Sequence, residues 1–388
     1  VPEFSVLFAS SAAQTAASTV SGLALGTLVY AETGSPLLAA LSMFGPSLAQ
    51  VVGATVLLSA ADRLPPRAAM SGLAAVFAAG TAVLAVPGLP VGVALALLFG
   101  LGLASSLGGG VRYGLLTDIL PREGYLLGRS VLNMSVGLLQ IAGYATGALL
   151  VSVLSPRGTL LAAAVLYLLG AVVTRFGLAR RPARADGRPS AAATWRGNRL
   201  LWSSAPRRYV YLALWVPNGL IVGCEALFVP YAPAHAGALF ALAALGMLVG
   251  DLVVGRFVPD RWRERLAAPL RLLLAVPYLV FALEPGLPLA AAAIVLASAG
   301  FAASLLLQDR LVALTPPELR GHALGLHASG MMTMQGVGAA VAGAVAQQTS
   351  PATAMAVMAA ASAVVTIVLA PGLRTPVGGL LTRSDPDM

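Results

Sequence analysis

The chain is a succession of apolar stretches, each about as long as a bilayer is thick, separated by short intervals that carry nearly all of its charge. A helix needs about 20 mostly apolar residues to cross the hydrocarbon core. Stretches of that kind occupy 5–30, 37–61, 68–87, 91–113, 125–152 and 157–178, and after a polar interval 208–230, 236–258, 267–284, 288–308, 321–347 and 351–370. In lipid the backbone must satisfy its own hydrogen bonds, so such stretches form helices. The reading is an all-α integral membrane protein with twelve transmembrane helices. Composition agrees, since 58% of residues are hydrophobic and 10% charged, whereas a soluble domain carries about 25% charged residues. The first stretch starts near residue 5 without a basic segment or a cleavage site, and reads as a retained span instead of a signal peptide.

The intervals alternate in charge. One side receives Arg63 and Arg67, then Arg122 and Arg129, then Arg180 through Arg208. It also receives Arg256, Arg261, Arg263, Arg265 and Arg271, then Arg310 and Arg320, and the tail residues Arg374 and Arg383. The other side has Arg157 with Glu32 and Glu284. Positive residues favour the cytoplasmic side. Both termini and the 179–206 interval are therefore expected in the cytoplasm of a multi-pass protein of the cell inner membrane. That interval is rich in Arg, Pro, Ser and Gly and reads as a linker. Its Trp195, Leu200, Leu201 and Trp202 fit a short amphipathic helix at the lipid interface.

Several function classes are disfavoured. The net charge of +9 is dispersed over short loops and forms no separate basic domain, so nucleic acid is not an expected partner. Cys224 stands alone, and His235, His322 and His327 make no metal set. Neither GxxxxGK[ST] nor a strand-bounded GxGxxG is present, so no nucleotide cofactor is expected, and no nucleophile–base pair marks an enzyme. Energy is then expected from an ion or substrate gradient, with a partner ATPase as the alternative.

The two halves repeat each other. GLGLASS at 100–106 and SAGFAAS at 298–304 are offset by 198 residues, and the same offset carries Asp62-Arg63 onto Asp260-Arg261 and Arg112 onto Arg310. Parallel six-helix repeats about an axis normal to the membrane build one large transporter class. On these features, and on LLSAADRLPPRAAM after span 2 and GRFVPDRWRER after span 8, the chain resembles the major facilitator superfamily over 5–370. Leu58 stands where the family's loop motif has its first Gly, and the second loop has one extra residue before its acid. GGGVRYGLLTDILPREG at 108–124 is reminiscent of the exporter-like branches, although span 5 lacks their Gly-Pro pair.

The resemblance implies an N-terminal six-helix bundle at 1–178, a linker at 179–206, a C-terminal bundle at 207–370 and a tail at 371–388. It implies a cytoplasmic gate at Asp62, Arg63, Arg67, Asp260 and Arg261. Arg112 and Asp118 read equally as a gating ion-pair network or as a snorkelling border. The glycines at 108–110 permit close approach or unwinding near the end of span 4.

Acids inside spans are costly unless they face water or a partner. Glu225, in WVPNGLIVGCEALFVPY, is the first proton-coupling candidate, and Asp251 is the second, with an ion pair to Arg256 as its alternative. Polar candidates for a substrate cleft are Gln14, Gln50, Asn133, Gln140, Asn218, His327 and Gln335, with Thr15 and Gln308 beside them. Helix-joining hydrogen bonds are the competing role for each.

The expectation is a monomeric secondary transporter that takes small molecules and protons as partners, with membrane lipids around it. The favoured mode is efflux of a lipophilic or amphiphilic molecule by antiport with protons. The alternatives are proton-coupled import of a sugar, nucleoside, amino acid or peptide, and a non-transporting receptor or scaffold.

Overall fold

A computed structural model describes residues 2–61, 64–120, 122–182, 191–316 and 319–373. Every regular element described is helical. They are α1 (Pro2–Thr33), α2 (Pro36–Ala61), α3 (Pro66–Leu84), α4 (Val91–Ile119), α5 (Arg122–Gly177), α6 (Ala191–Ser203) and α7 (Ala205–Glu225). There follow α8 (Phe228–Tyr231), α9 (Ala236–Phe257), α10 (Asp260–Ala275), α11 (Leu287–Ala299), α12 (Ala303–Ala313), α13 (Arg320–Gln348) and α14 (Pro351–Leu373). A 3-10 stretch, Val276–Leu283, continues α10, and another, Gly300–Ala302, joins α11 to α12.

Proline sets many of the starts. It occupies the first or second residue of α1, α2, α3, α7, α11 and α14, where its missing N–H has no intrahelical partner to lose and its fixed φ suits a helix. The same logic divides α5. Ser155 leaves helical geometry at φ 70° and ψ 164°, and Pro156 begins a second helix. Thr159 Oγ1 donates to the Ser155 carbonyl at 2.8 Å, holding that first turn. The two expected spans therefore meet at Ser155. Gly88, at φ 74°, turns the chain between α3 and α4.

Among the described residues, eight helical stretches are long and apolar enough to cross a membrane. Their outward faces are apolar: Val153 is 71% exposed, Phe176 81% and Val368 67%. A soluble protein would hide such side chains; here they face lipid. The molecule is an all-α, multi-spanning membrane protein.

At the arginine-rich end, one core is built from Leu7, Val111, Leu115, Leu132 and Leu178, all of the first half. Another is built from Leu201 of α6 with Tyr211, Leu214, Leu307 and Leu311 of the second. At the opposite end the halves share a core. Leu23, Tyr30, Phe44 and Tyr144 pack with Phe228, Phe240, Tyr278 and Phe281, and Tyr144 stacks on Phe240 with centroids 4.7 Å apart. Arg157 and Glu32 pair at this same end.

Three expectations change. The glycine run at 108–110 unwinds nothing, because α4 continues through it to Ile119. Arg271 and Arg310 are not loop residues: both are buried within α10 and α12, with Arg271 only 1% exposed. The helix that carries Arg271 begins at Asp260, so the side chain starts about 16 Å along the axis from that end. Finally, Trp202 does not lie free at an interface but stacks on Trp215 with centroids 5.7 Å apart, whereas Trp195 is 74% exposed.

Candidate functional site

The first half encloses a cavity of about 380 Å³. Residues 14, 18, 21 and 25 of α1 follow helical spacing and place Gln14, Ser18, Ser21 and Leu25 along one face. α2 brings Ser42 and Gln50, α3 Thr81, α4 Ser105 and Arg112, and α5 Tyr167. Close packing shapes the wall, since a Cβ at Gly102 of α4 would strike the Pro46 carbonyl of α2. Tyr167 is fixed by stacking on Phe77, with centroids 5.5 Å apart. Among the described lining residues Arg112 is the only charged one. Chemically this pocket sets hydroxyls, two amides and one guanidinium against apolar walls that include Leu25, Met43, Phe77, Leu98 and Leu101, so it can orient a small solute and meet a carboxylate or phosphate on it.

The second half has a different kind of polar seam. α7 and α13 run side by side at a nearly constant offset. Tyr211 Oη donates to the Ala323 carbonyl at 3.3 Å, Trp215 Nε1 to the His327 carbonyl at 3.0 Å, and Asn218 Nδ2 to Met331 Sδ at 3.7 Å. The approach is close because Gly219 faces Gly338, backbone to backbone. Ser362 Oγ of α14 donates to the Pro217 carbonyl at 3.1 Å. The imidazole of His327 is buried, and its Nδ1 has no hydrogen-bond partner among the described residues.

Glu225 ends α7 beneath the seam where the halves meet. It is buried, and its Oε1 has no hydrogen-bond partner among the described residues. Tyr144 of the first half and Tyr278 of the second lie within its electrostatic reach. Movement of one half against the other therefore changes the surroundings of this carboxyl directly.

The structure brings Gln14, Thr15, Gln50 and Arg112 around one cavity, and Asn218 and His327 to one seam. Gln140, Gln308 and Gln335 are half-buried and line neither. Asp251 is exposed on α9 and makes no hydrogen bond or ion pair with Arg256; five residues along a helix turn the two side chains to different faces. Arg67 Nη1 donates to the Leu178 carbonyl at 3.2 Å, a contact within the first half. Asp118 is exposed and near enough to Arg181 to act on it. Asp62 and Arg63 lie outside the described residues, as do the side chains of Asn133, Asp260 and Arg261. Sequence reasoning missed Arg271 as an interior group. Its Nη2 donates to Ser304 Oγ at 3.0 Å, and His327 lies within its electrostatic reach. Among the described residues no cluster of His, Cys, Asp and Glu could hold a metal ion.

The family profile described as Major Facilitator Superfamily matches residues 7–304. No curated protein matches the chain significantly. Among solved structures, the nucleoside transporter NupG superposes with a TM-score of 0.79 at 13% identity, covering 95% of this chain and 99% of its own. A POT family transporter in complex with a thioalcohol-conjugated peptide gives 0.74 at 14% identity, covering 96% of each. A bacterial homologue of the human lysosomal transporter Spinster, inward-facing and unoccupied, gives 0.73 at 14% identity, covering 99% of each. These likenesses correct the expectation of an efflux branch working by antiport: they fall on peptide, nucleoside and Spinster-type transporters.

Proposed function

Because the chain belongs to the major facilitator superfamily, and so is a secondary active transporter working by alternating access and not an enzyme, we propose that it imports a small polar solute together with protons. The candidate substrates are a nucleoside, amino acid, sugar or short peptide. The observation that carries this reading is the cavity of hydroxyls, amides and one guanidinium around Gln14, Gln50 and Arg112. A lipophilic cargo would match the leucines and Phe77 of the wall but would displace water from Gln14 and Gln50 without replacing its hydrogen bonds.

In this reading all twelve apolar stretches cross the membrane, as two six-helix bundles at 1–178 and 207–370 joined by the 179–206 linker. Arginine bias puts the linker and both termini in the cytoplasm. The shared core then closes the external side, and the separate cores at the arginine-rich end belong to an inward-facing state. Rocking of the halves opens the external seam. Solute binds against α1, α2 and α4, with Arg112 meeting its charged or most polar group. Glu225 binds and releases the coupled proton, because opening the seam changes its solvation and its distance from Tyr144. Asn218 and His327 extend the polar path on the opposite half. Asp251, exposed and without a hydrogen-bond or ion-pair partner among the described residues, is a second acid on that path. The loops bearing Asp62, Arg63 and Arg67 and bearing Asp260 and Arg261 close the cytoplasmic side in the other state.

The test is flux into proteoliposomes carrying a pH-sensitive dye, with nucleosides, amino acids, sugars and dipeptides offered outside under an imposed proton gradient. Uptake of one class with matched proton entry is expected. Glu225→Gln should abolish gradient-driven accumulation while leaving solute exchange at zero gradient, and Arg112→Gln should raise KM. Uptake that ignores the proton gradient would overturn the coupling. The absence of flux for every class would overturn the polar-solute reading.

A further inference from the structure

At the arginine-rich end of the first half, α3 and the last turns of α5 frame an open groove of about 850 Å³ that faces away from the second half. Its floor is apolar: Ala68, Gly72 and Ala75 from α3, and Ala171, Val172 and Phe176 from α5. Ser71, the polar group on the floor, spends its hydroxyl on the Arg67 carbonyl at 2.8 Å. The rim carries Arg67, Arg175, Arg180 and Arg181. Two of these are held in place, Arg67 by the Leu178 carbonyl and Arg181 by Glu3 at 2.7 Å. Arg175 and Arg180 are exposed and make no hydrogen bond or ion pair within the described residues.

We propose that this groove binds an anionic phospholipid, with the phosphate held between Arg175 and Arg180 and an acyl chain lying along Gly72 and Ala75. Charge complementarity selects the headgroup: guanidinium forks match phosphate oxygens, and basic pockets between spanning helices at a membrane border suit anionic lipids. The floor selects a lipid over a free phosphate. A soluble phosphate would engage only the rim, whereas the apolar trench below it runs into the face of α3 and α5 that meets lipid tails. Space is available there, because a Cβ at Gly72 would meet no atom within 4 Å. The site is separate from the solute cavity, which shares no lining residue with it.

The experiment is native mass spectrometry of the purified protein, offering phosphatidylglycerol and phosphatidylcholine with identical acyl chains, and a parallel titration with glycerol phosphate. One phosphatidylglycerol should be retained in preference to phosphatidylcholine. Arg175→Gln with Arg180→Gln should cut that preference about tenfold or more. Gly72→Leu, which fills the trench and keeps every charge, should reduce retention while leaving both arginines. Both variants change exposed positions, and their Tm in phosphatidylcholine should match the parent. Equal retention of the two lipids, an unchanged preference in the double variant, or competition by glycerol phosphate as strong as by the lipid would each overturn the proposal.

Discussion

Ser35 Oγ donates a hydrogen bond to Gln347 Oε1 at 2.9 Å, tying the residue before α2 to the end of α13 across 312 positions of sequence. It stands at the outer lip of the core the two halves share. Below it, a Cβ at Gly343 would press on Leu37, and one at Gly336 would press on Leu48. α2 and α13 therefore close on each other along several turns. If the transport cycle opens this seam, a covalent tie at its lip must stop the cycle.

The first prediction is that Ser35→Cys with Gln347→Cys, bridged by a short bis-methanethiosulfonate that joins each thiol through a disulfide as sulfinate leaves, lowers flux to the protein-free background. Reductant should restore it. Cys224 is buried and leaves the reagent to the new pair. Full flux through the crosslinked protein would mean that the halves do not separate here.

A second prediction concerns the α7–α13 contact. Gly338 lies against the Gly219 carbonyl so closely that a methyl group cannot be accommodated without moving a backbone. Gly338→Ala should cost about 1–3 kcal/mol, the usual range for overpacking. Gly325, on the same helix, has nothing within 4 Å of its missing Cβ, so Gly325→Ala should be neutral or gain up to about 1 kcal/mol of helix propensity. Thermal unfolding of both variants in one detergent separates packing from propensity.

The contrast also marks what the amino-acid sequence makes legible. Spans are visible because lipid demands long apolar helices. Glu225 is visible as an acid in an apolar stretch. Arg271 is hidden for a physical reason: it stands near the start of the 267–284 stretch and six residues after Arg265, so it reads as the last of a run of loop arginines although its helix carries the cation into the interior. The solute cavity is hidden differently. Gln14, Gln50 and Arg112 sit on three helices, and no spacing within a single span reveals that they converge. Direction of transport leaves no mark in composition at all, which is how the efflux reading arose and why the likenesses to other transporters displaced it.

The third prediction is a pH dependence. Glu3 precedes the first span, and its carboxyl lies below the ordinary value of 4.5, chiefly because Arg181 donates to it and secondarily because the Ala179 N–H does. A carboxylate favoured in the folded state stabilises fully above its unfolded pKa and loses that contribution as pH falls through its folded one. The Tm difference between the parent and Glu3→Gln should therefore be present near neutrality and vanish well below pH 4.5. The pair is partly exposed, so solvent screening limits the effect to roughly 1 kcal/mol or less. Raising the salt concentration should shrink it. A difference that persisted in acid would assign the effect to packing.

The last prediction tests Arg271. Ser304 Oγ accepts from Nη2 at 3.0 Å, while Nε and Nη1 have no hydrogen-bond partner among the described residues. Removing one partner of a buried charged group exposes its desolvation cost, so Ser304→Ala should destabilise by about 1–3 kcal/mol. Replacing the cation with an apolar chain removes that cost at its source, so Arg271→Met should be neutral or stabilising by about 1–4 kcal/mol. In the Arg271→Met background Ser304→Ala should then cost little, and the double-mutant cycle should return a coupling close to the whole Ser304 effect. Unfolding measured for all four proteins decides the matter. If Arg271→Met proves the more damaging of the two single changes, the guanidinium has a counter-charge in the working protein, and its burial is part of the transport path instead of a strain on the fold.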